Sequence, residues 1–159
     1  NCINEQRDLF PRTDAAVIVS IIDEQDRILL GSQGSWQENR WSVLAGFVEA
    51  AESLEAAVKR EMFEESGIHV SEPEYLGSQA WPYPYSLMLA FRAKVDSSNS
   101  AEDIKADGLE IAKLRWFSRE DIKQEAPQML LPTKISIARA MIENWYGEEI
   151  VSATELSGN

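Results

Sequence analysis

The chain has 159 residues, 44% hydrophobic and 26% charged, with a formal net charge of −12, a size and mix that fit one domain with a real core. Such an acidic surface excludes strong general affinity for nucleic-acid backbones or anionic membranes, so any phosphate-bearing ligand needs a locally reversed field, for which bound cations are the natural source. One cysteine, Cys2, and one histidine, His69, exclude an intrachain disulfide and a multi-histidine zinc centre. No apolar run approaches the length of a membrane span, the start NCINEQRDLF lacks a signal-peptide core, and a cytoplasmic location is expected.

Residues 15–22, AAVIVSII, read as a buried strand. A polar turn at 23–26 and a second strand starting at Arg27 complete a hairpin. Residues 31–40 read as a loop and 41–45 as a short strand stopped by Gly46. Residues 52–66 lack Gly and Pro and close on Gly67, which predicts a helix with a left-handed C-terminal residue. Strands are expected at 75–80 and 86–95 around a proline-rich turn, followed by a polar loop at 96–108 and a strand at 111–117. Ser118 is the expected N-cap of a short helix. Apolar residues on one face of 134–146 predict a C-terminal helix, and the polar residues 149–159 a flexible tail. The sum is an α+β domain, an α/β/α sandwich with a mixed β-sheet.

The informative segment is 46–68, GFVEAAESLEAAVKREMFEESGI. At the helical period, Leu54, Ala57 and Val58 share a sheet-facing stripe, and that stripe runs on into Glu61, Glu64 and Glu65, with Glu55, Lys59 and Ser66 facing outward. Glutamates in a helix are ordinarily a solvated face. Three acids near a helix C-terminus, however, oppose both the macrodipole and one another. A hard divalent cation with oxygen ligands, Mg2+ or Mn2+, would relieve that repulsion.

This segment resembles the Nudix box, G-x5-E-x7-R-E-U-x-E-E-x-G-U with U a bulky aliphatic residue. Gly46, Glu52, Arg60, Glu61, Met62, Glu64, Glu65, Gly67 and Ile68 fill its fixed positions. The resemblance implies a Nudix fold and metal-dependent cleavage of a diphosphate, with two or more Mg2+ or Mn2+ ions held by Glu61, Glu64 and Glu65. Arg60 would orient the carboxylates, Glu52 and Gly67 would be structural, and Gly46 would let the backbone approach metal or phosphate. Which carboxylate acts as general base is left open.

Residues 78–88, SQAWPYPYSLM, resemble the S-Q-P-W-P-F-P-x-S motif of the NADH pyrophosphatases, with Ala80 and Tyr83 departing from it. Read alone, the segment is a proline-stiffened turn with aromatic packing. Behind a Nudix box it implies an NAD(H) diphosphatase that releases NMN(H) and AMP and also acts on the NAD-capped 5′ end of RNA. The resemblance further implies Phe47, Gln79, Trp81, Ser86 and Met88 at the substrate, Glu110 and the Ala138 backbone at the metal, and a homodimer. Relatives of this kind carry a four-cysteine zinc ribbon ahead of the catalytic domain. Residues 1–13 read as a remnant of it, 14–148 as the Nudix domain, and zinc is expected only where a missing ribbon is restored. The competing expectations are a pyrophosphatase of ADP-ribose or another nucleoside-diphosphate derivative, and a nucleotide-sensing module without catalysis.

Overall fold

The computed structural model describes residues 12–82 and 84–156; Cys2, most of the expected ribbon remnant, Tyr83 and the last three residues lie outside it. The strands are β1 (Asp14–Ile22), β2 (Ile28–Ser32), β3 (Leu44–Phe47), β4 (Val70–Trp81), β5 (Ser86–Val95) and β6 (Lys113–Phe117). The helices are α1 (Leu54–Ser66), α2 (Arg119–Glu125), α3 (Ile137–Tyr146) and the short α4 (Ala153–Leu156).

The sheet runs β4-β5-β1-β2-β6, with β3 on β1. It is mixed, as expected: β1 and β5 are parallel and the other pairs antiparallel. The β1–β2 hairpin has the single register pair Ile22↔Ile28, because β3 occupies the same edge of β1 further back, at Ala16↔Phe47 through Val19↔Leu44.

Strand alternation divides the core in two. Val17, Val19, Ile21 and Leu29 pack against Ala57, Val58 and Met62 of α1. Ile18, Ile28 and Leu30 pack against Ile122 of α2 and Met141, Ile142 and Trp145 of α3. Burying each such side chain contributes roughly 1.5–3 kcal/mol, which is what holds the two helical layers on the sheet.

Several expected boundaries change. Gly46 does not stop a strand at 41–45 but sits inside β3. The strand at 75–80 is longer and irregular, with register shifts between Ser71/Glu74 and Tyr75/Gly77; Pro73 is tolerated there because β4 is an edge strand. The strand expected from 111 starts at Lys113. Beyond Glu149 the chain is packed rather than loose: Ile150 and Ser152 are buried and α4 follows. The cause is Arg139, fully buried, whose guanidinium donates to Ile150 O (2.5 Å), Pro132 O (3.0 Å) and Glu143 Oε1 (2.8 Å) and lies 3.3 Å from Glu155. A buried guanidinium needs this many acceptors, and the C-terminal backbone supplies part of them.

Candidate active site

Helix α1 is placed by its ends. Ser53 Oγ accepts from Ala56 N–H (3.2 Å) at the N-cap. Gly67, at φ 70°, closes the C-terminus with its N–H on Phe63 O. Between these caps, Arg60 uses its planar fork fully. It grips Glu52 bidentately (Nε to Oε1 and Nη2 to Oε2, both 2.8 Å), and donates to Glu61 (2.8 Å), Glu64 (3.0 Å) and Phe47 O (3.0 Å). Bidentate charge-assisted pairing fixes geometry as well as energy. Together with the Glu49 backbone N–H, it holds the Glu52 carboxyl down at about 2.

The carboxylates divide. Glu61 is largely buried and Glu65 is 4% exposed, but the Glu64 side chain is 57% exposed. The expected trio is therefore a buried pair with Glu64 turned to its flank. Among the described residues, no three acidic, histidine or cysteine side chains are gathered closely enough to hold a metal ion as they stand; Arg60 draws Glu61 and Glu64 towards itself. The outward face also needs correction at Ser66, which is fully buried and donates to Met62 O (2.5 Å).

Glu65 carries the strongest signal. Its Oε2 is buried without a hydrogen-bond partner. Burial first, then the charges of Glu61, Glu110 and Asp107, push its carboxyl up to about 8. Burial also raises Glu61, against the opposing pull of Arg60. A buried orphan carboxylate oxygen in a field of other acids is costly, and it fits a divalent cation with oxygen ligands. Glu110 joins this field from a loop and not from a strand. Asp107 builds that loop by accepting from the N–H groups of Leu109, Glu110 and Ile111. Asp107 carries no site signal in the sequence beyond the Asp-Gly pair at 107–108, which marks a structured turn.

Gly46 faces α1 across this site, where an added Cβ would overlap the Glu61 carboxyl group. Its neighbour Phe47, 57% exposed, projects from the opposite face of the sheet, as alternation requires. There Ala16 pairs with both Phe47 and Met88, Met88 with Gln79, and Ser86 with Trp81, so all five predicted ring-contacting residues share a face. A cavity of about 310 Å3 opens on it, lined by Gln79, Trp81 and Met88 from the sheet and by Ile137 and Ala138 from α3. Its lining is mainly apolar, the composition that accepts a planar ring. Phe47 and Ser86 lie outside its wall. Pro132, Thr133 and Ser136 also line the cavity: Ser136, expected inside a helix over 134–146, is the N-cap of α3, which starts at Ile137, and Pro132 and Thr133 carry no sequence signal.

The sheet thus carries a buried carboxylate pair on one face and an apolar cavity on the other, the layout of a hydrolase domain that its relatives identify. The NUDIX domain family model matches residues 11–140, and the chain belongs to the Nudix family. It is 44% identical over 146 residues to the NAD-capped RNA hydrolase NudC of Mycobacterium tuberculosis (strain H37Rv), covering 86% of this chain and 46% of that protein. The NAD-capped RNA hydrolase NUDT12 of Macaca fascicularis is 38% identical over 144 residues, 86% of this chain and 30% of that protein. The chain thus spans half or less of the length of these relatives. Among solved structures, a NUDIX hydrolase from Nitrosomonas europaea matches with a TM-score of 0.63 at 22% identity, over 88% of this chain and 93% of that one, a likeness of fold. Among the described residues, no helix is long and apolar enough to cross a membrane.

Proposed function

We propose that this domain hydrolyses the diphosphate bridge of NADH or NAD+ to NMN(H) and AMP, and acts likewise on the NAD-capped 5′ end of RNA. The observation that carries the reading is the orphaned, buried Oε2 of Glu65 beside Glu61, with the cavity of Trp81 and Met88 on the other face of the same sheet. The names of the two relatives support the choice of substrate.

In this reading Glu61, Glu65, Glu64 and Glu110 would hold Mg2+ or Mn2+; Ala138, expected as a backbone contact of the metal, instead lines the cavity on the other face of the sheet, because α3 packs there, and would face the ring. Bound there, the cation polarises phosphoryl oxygens and acidifies water. The chain's own residues do the rest. Arg60 fixes the Glu61 carboxylate and, through Phe47 O, the strand that carries Gly46. Trp81 and Met88 offer stacking surface to a base or nicotinamide ring, and Phe47 and Ser86 extend that face towards the solvent. The net charge of −12 confines nucleic-acid binding to a single inserted end.

We place the protein in the cytoplasm as a homodimer. Tyr75, Leu76 and Trp81, all exposed on edge strand β4, support a partner surface, and light scattering in solution reads the subunit number. The deciding experiment incubates the chain with NADH, NAD+, ADP-ribose and dinucleoside polyphosphates, each with Mg2+, Mn2+ or chelator. NMN(H) and AMP are the expected products, lost on chelation. Turnover of ADP-ribose about tenfold faster than NADH overturns the substrate assignment, and no turnover of any of them favours a sensing module.

A further inference from the structure

The amide of Gln79 is engaged by protein at both ends. Its Nε2 donates to Ile135 O and its Oε1 accepts from Ile137 N–H, each at 2.8 Å. A side-chain amide placed so, against alternate residues of a neighbouring segment, pairs as a peptide group would in a strand. The acceptor side is not idle: Ile137 is the first residue of α3, and its N–H is one of the helix donors that have no partner within the helix. Ser136 Oγ, the N-cap, serves Arg139 N–H instead (3.2 Å). Among the described residues, the two Gln79 bonds are the hydrogen bonds that tie β4 to residues 133–138. Those residues form one wall of the cavity, and Gln79, Trp81 and Met88 form the other.

We infer that Gln79 is a positioning residue: it clasps edge strand β4 to the start of α3 and so sets the width of the ring-binding cavity. Its role is to hold Ile137 and Ala138 opposite Trp81, and the ring it helps to bind is gripped by those neighbours. The kinetic part of this inference rests on the proposed function; the structural part does not.

The test uses the full chain. In hydrogen exchange without ligand, Gln79→Ala should speed the amides of residues 133–138 about tenfold, the scale of two lost hydrogen bonds, with β1 and α1 unchanged. In NADH hydrolysis the same variant should raise KM about tenfold and leave kcat within about twofold. Gln79→Glu keeps the acceptor for Ile137 and loses the donor to Ile135, so it should fall between Gln79→Ala and the unaltered chain. Ile137→Pro removes the partnered N–H at a position where proline is tolerated, since Ser136 already has the extended backbone (ψ 143°) that precedes proline. In that background Gln79→Ala should add less than half of its effect on log KM. Unchanged exchange at 133–138 in ligand-free Gln79→Ala, or full additivity with Ile137→Pro, overturns the clasp and leaves Gln79 as a direct substrate contact. Failure of the unaltered chain to hydrolyse NADH overturns the proposed function instead, and the exchange result still decides the clasp.

Discussion

On the α1 side of the sheet the packed stripe of Ala57, Val58 and Met62 runs into Glu61 and Glu65, while on the α3 side the strand face of Ile18 and Met88 runs into an open, apolar cavity. The same strand, β3, serves both: Gly46 looks to the carboxylates and Phe47 to the face that carries the cavity. The difference teaches how the domain separates cost from specificity. The α1 side stores unfavourable electrostatics that a proton on Glu65 or a bound cation would relieve, whereas the α3 side is stable as it stands and offers shape. Substitutions on the first side should therefore act on turnover, and those on the second on affinity.

The sharpest way to break that division is Glu65→Gln. It should lower kcat by about 100-fold or more, the range for losing a group that organises charge at the reacting phosphate, and should stabilise the metal-free protein at pH 8. The sign follows from proton binding. With its carboxyl at about 8 in the folded state against 4.5 ordinarily, folded Glu65 binds its proton more tightly than the unfolded chain does. Stability contributed by that proton is full below about pH 4.5 and is lost as pH rises to about 8, on the order of a few kcal/mol. Glu52, held at about 2, runs the other way: its stabilisation is present above pH 4.5 and lost as pH falls towards 2. Thermal melts across pH 2–9 in chelator should show both limbs, and Glu65→Gln should shrink the upper one to the part that Glu61, also raised by burial, supplies.

A smaller effect is expected from Gly46→Ala. The new methyl group overlaps the Glu61 carboxyl group and must push it off its Arg60 partner, so kcat should fall about tenfold while the melting temperature falls by only a few degrees. An equal fall in stability would mean that the glycine serves the strand and not the carboxylate. The smallest expected change is Trp81→Ala, which should raise KM for NADH roughly three- to tenfold with kcat retained. A fall in kcat instead would show that the two faces are coupled more tightly than their separate packing suggests.

The division was only partly legible in the chain. The helix, its left-handed Gly67, the α+β class and the mixed sheet follow from periodicity and the box, because those signals are local. Helical phase groups Glu64 with its neighbours; Arg60, four residues back and already anchored on Glu52, draws it to the flank. Phase also turns Ser66 outward, but the loop that carries Lys105, whose N–H donates to Ser66 O (2.8 Å), covers it, and phase cannot see that loop. Gly46 looked like a strand stop because glycine usually is one; its lack of a side chain is used here for the approach of Glu61. The cavity wall from Pro132 to Ala138 and the packing beyond Glu149 depend on contacts of Gln79 and Arg139 with backbone far away in sequence.

That last cluster has a consequence for handling the molecule. Arg139 follows Ala138 on α3 and is bound to Pro132 O on one side and to Ile150 O and Glu155 on the other. Trimming the chain after Gly147, or threading a fusion partner through this stretch, would leave the buried guanidinium with Glu143 and Pro132 O alone, one residue along α3 from the cavity wall at Ala138. A protease nick at this far end would therefore loosen the packing around Arg139 and, with it, the wall that Pro132 and Ala138 give the cavity.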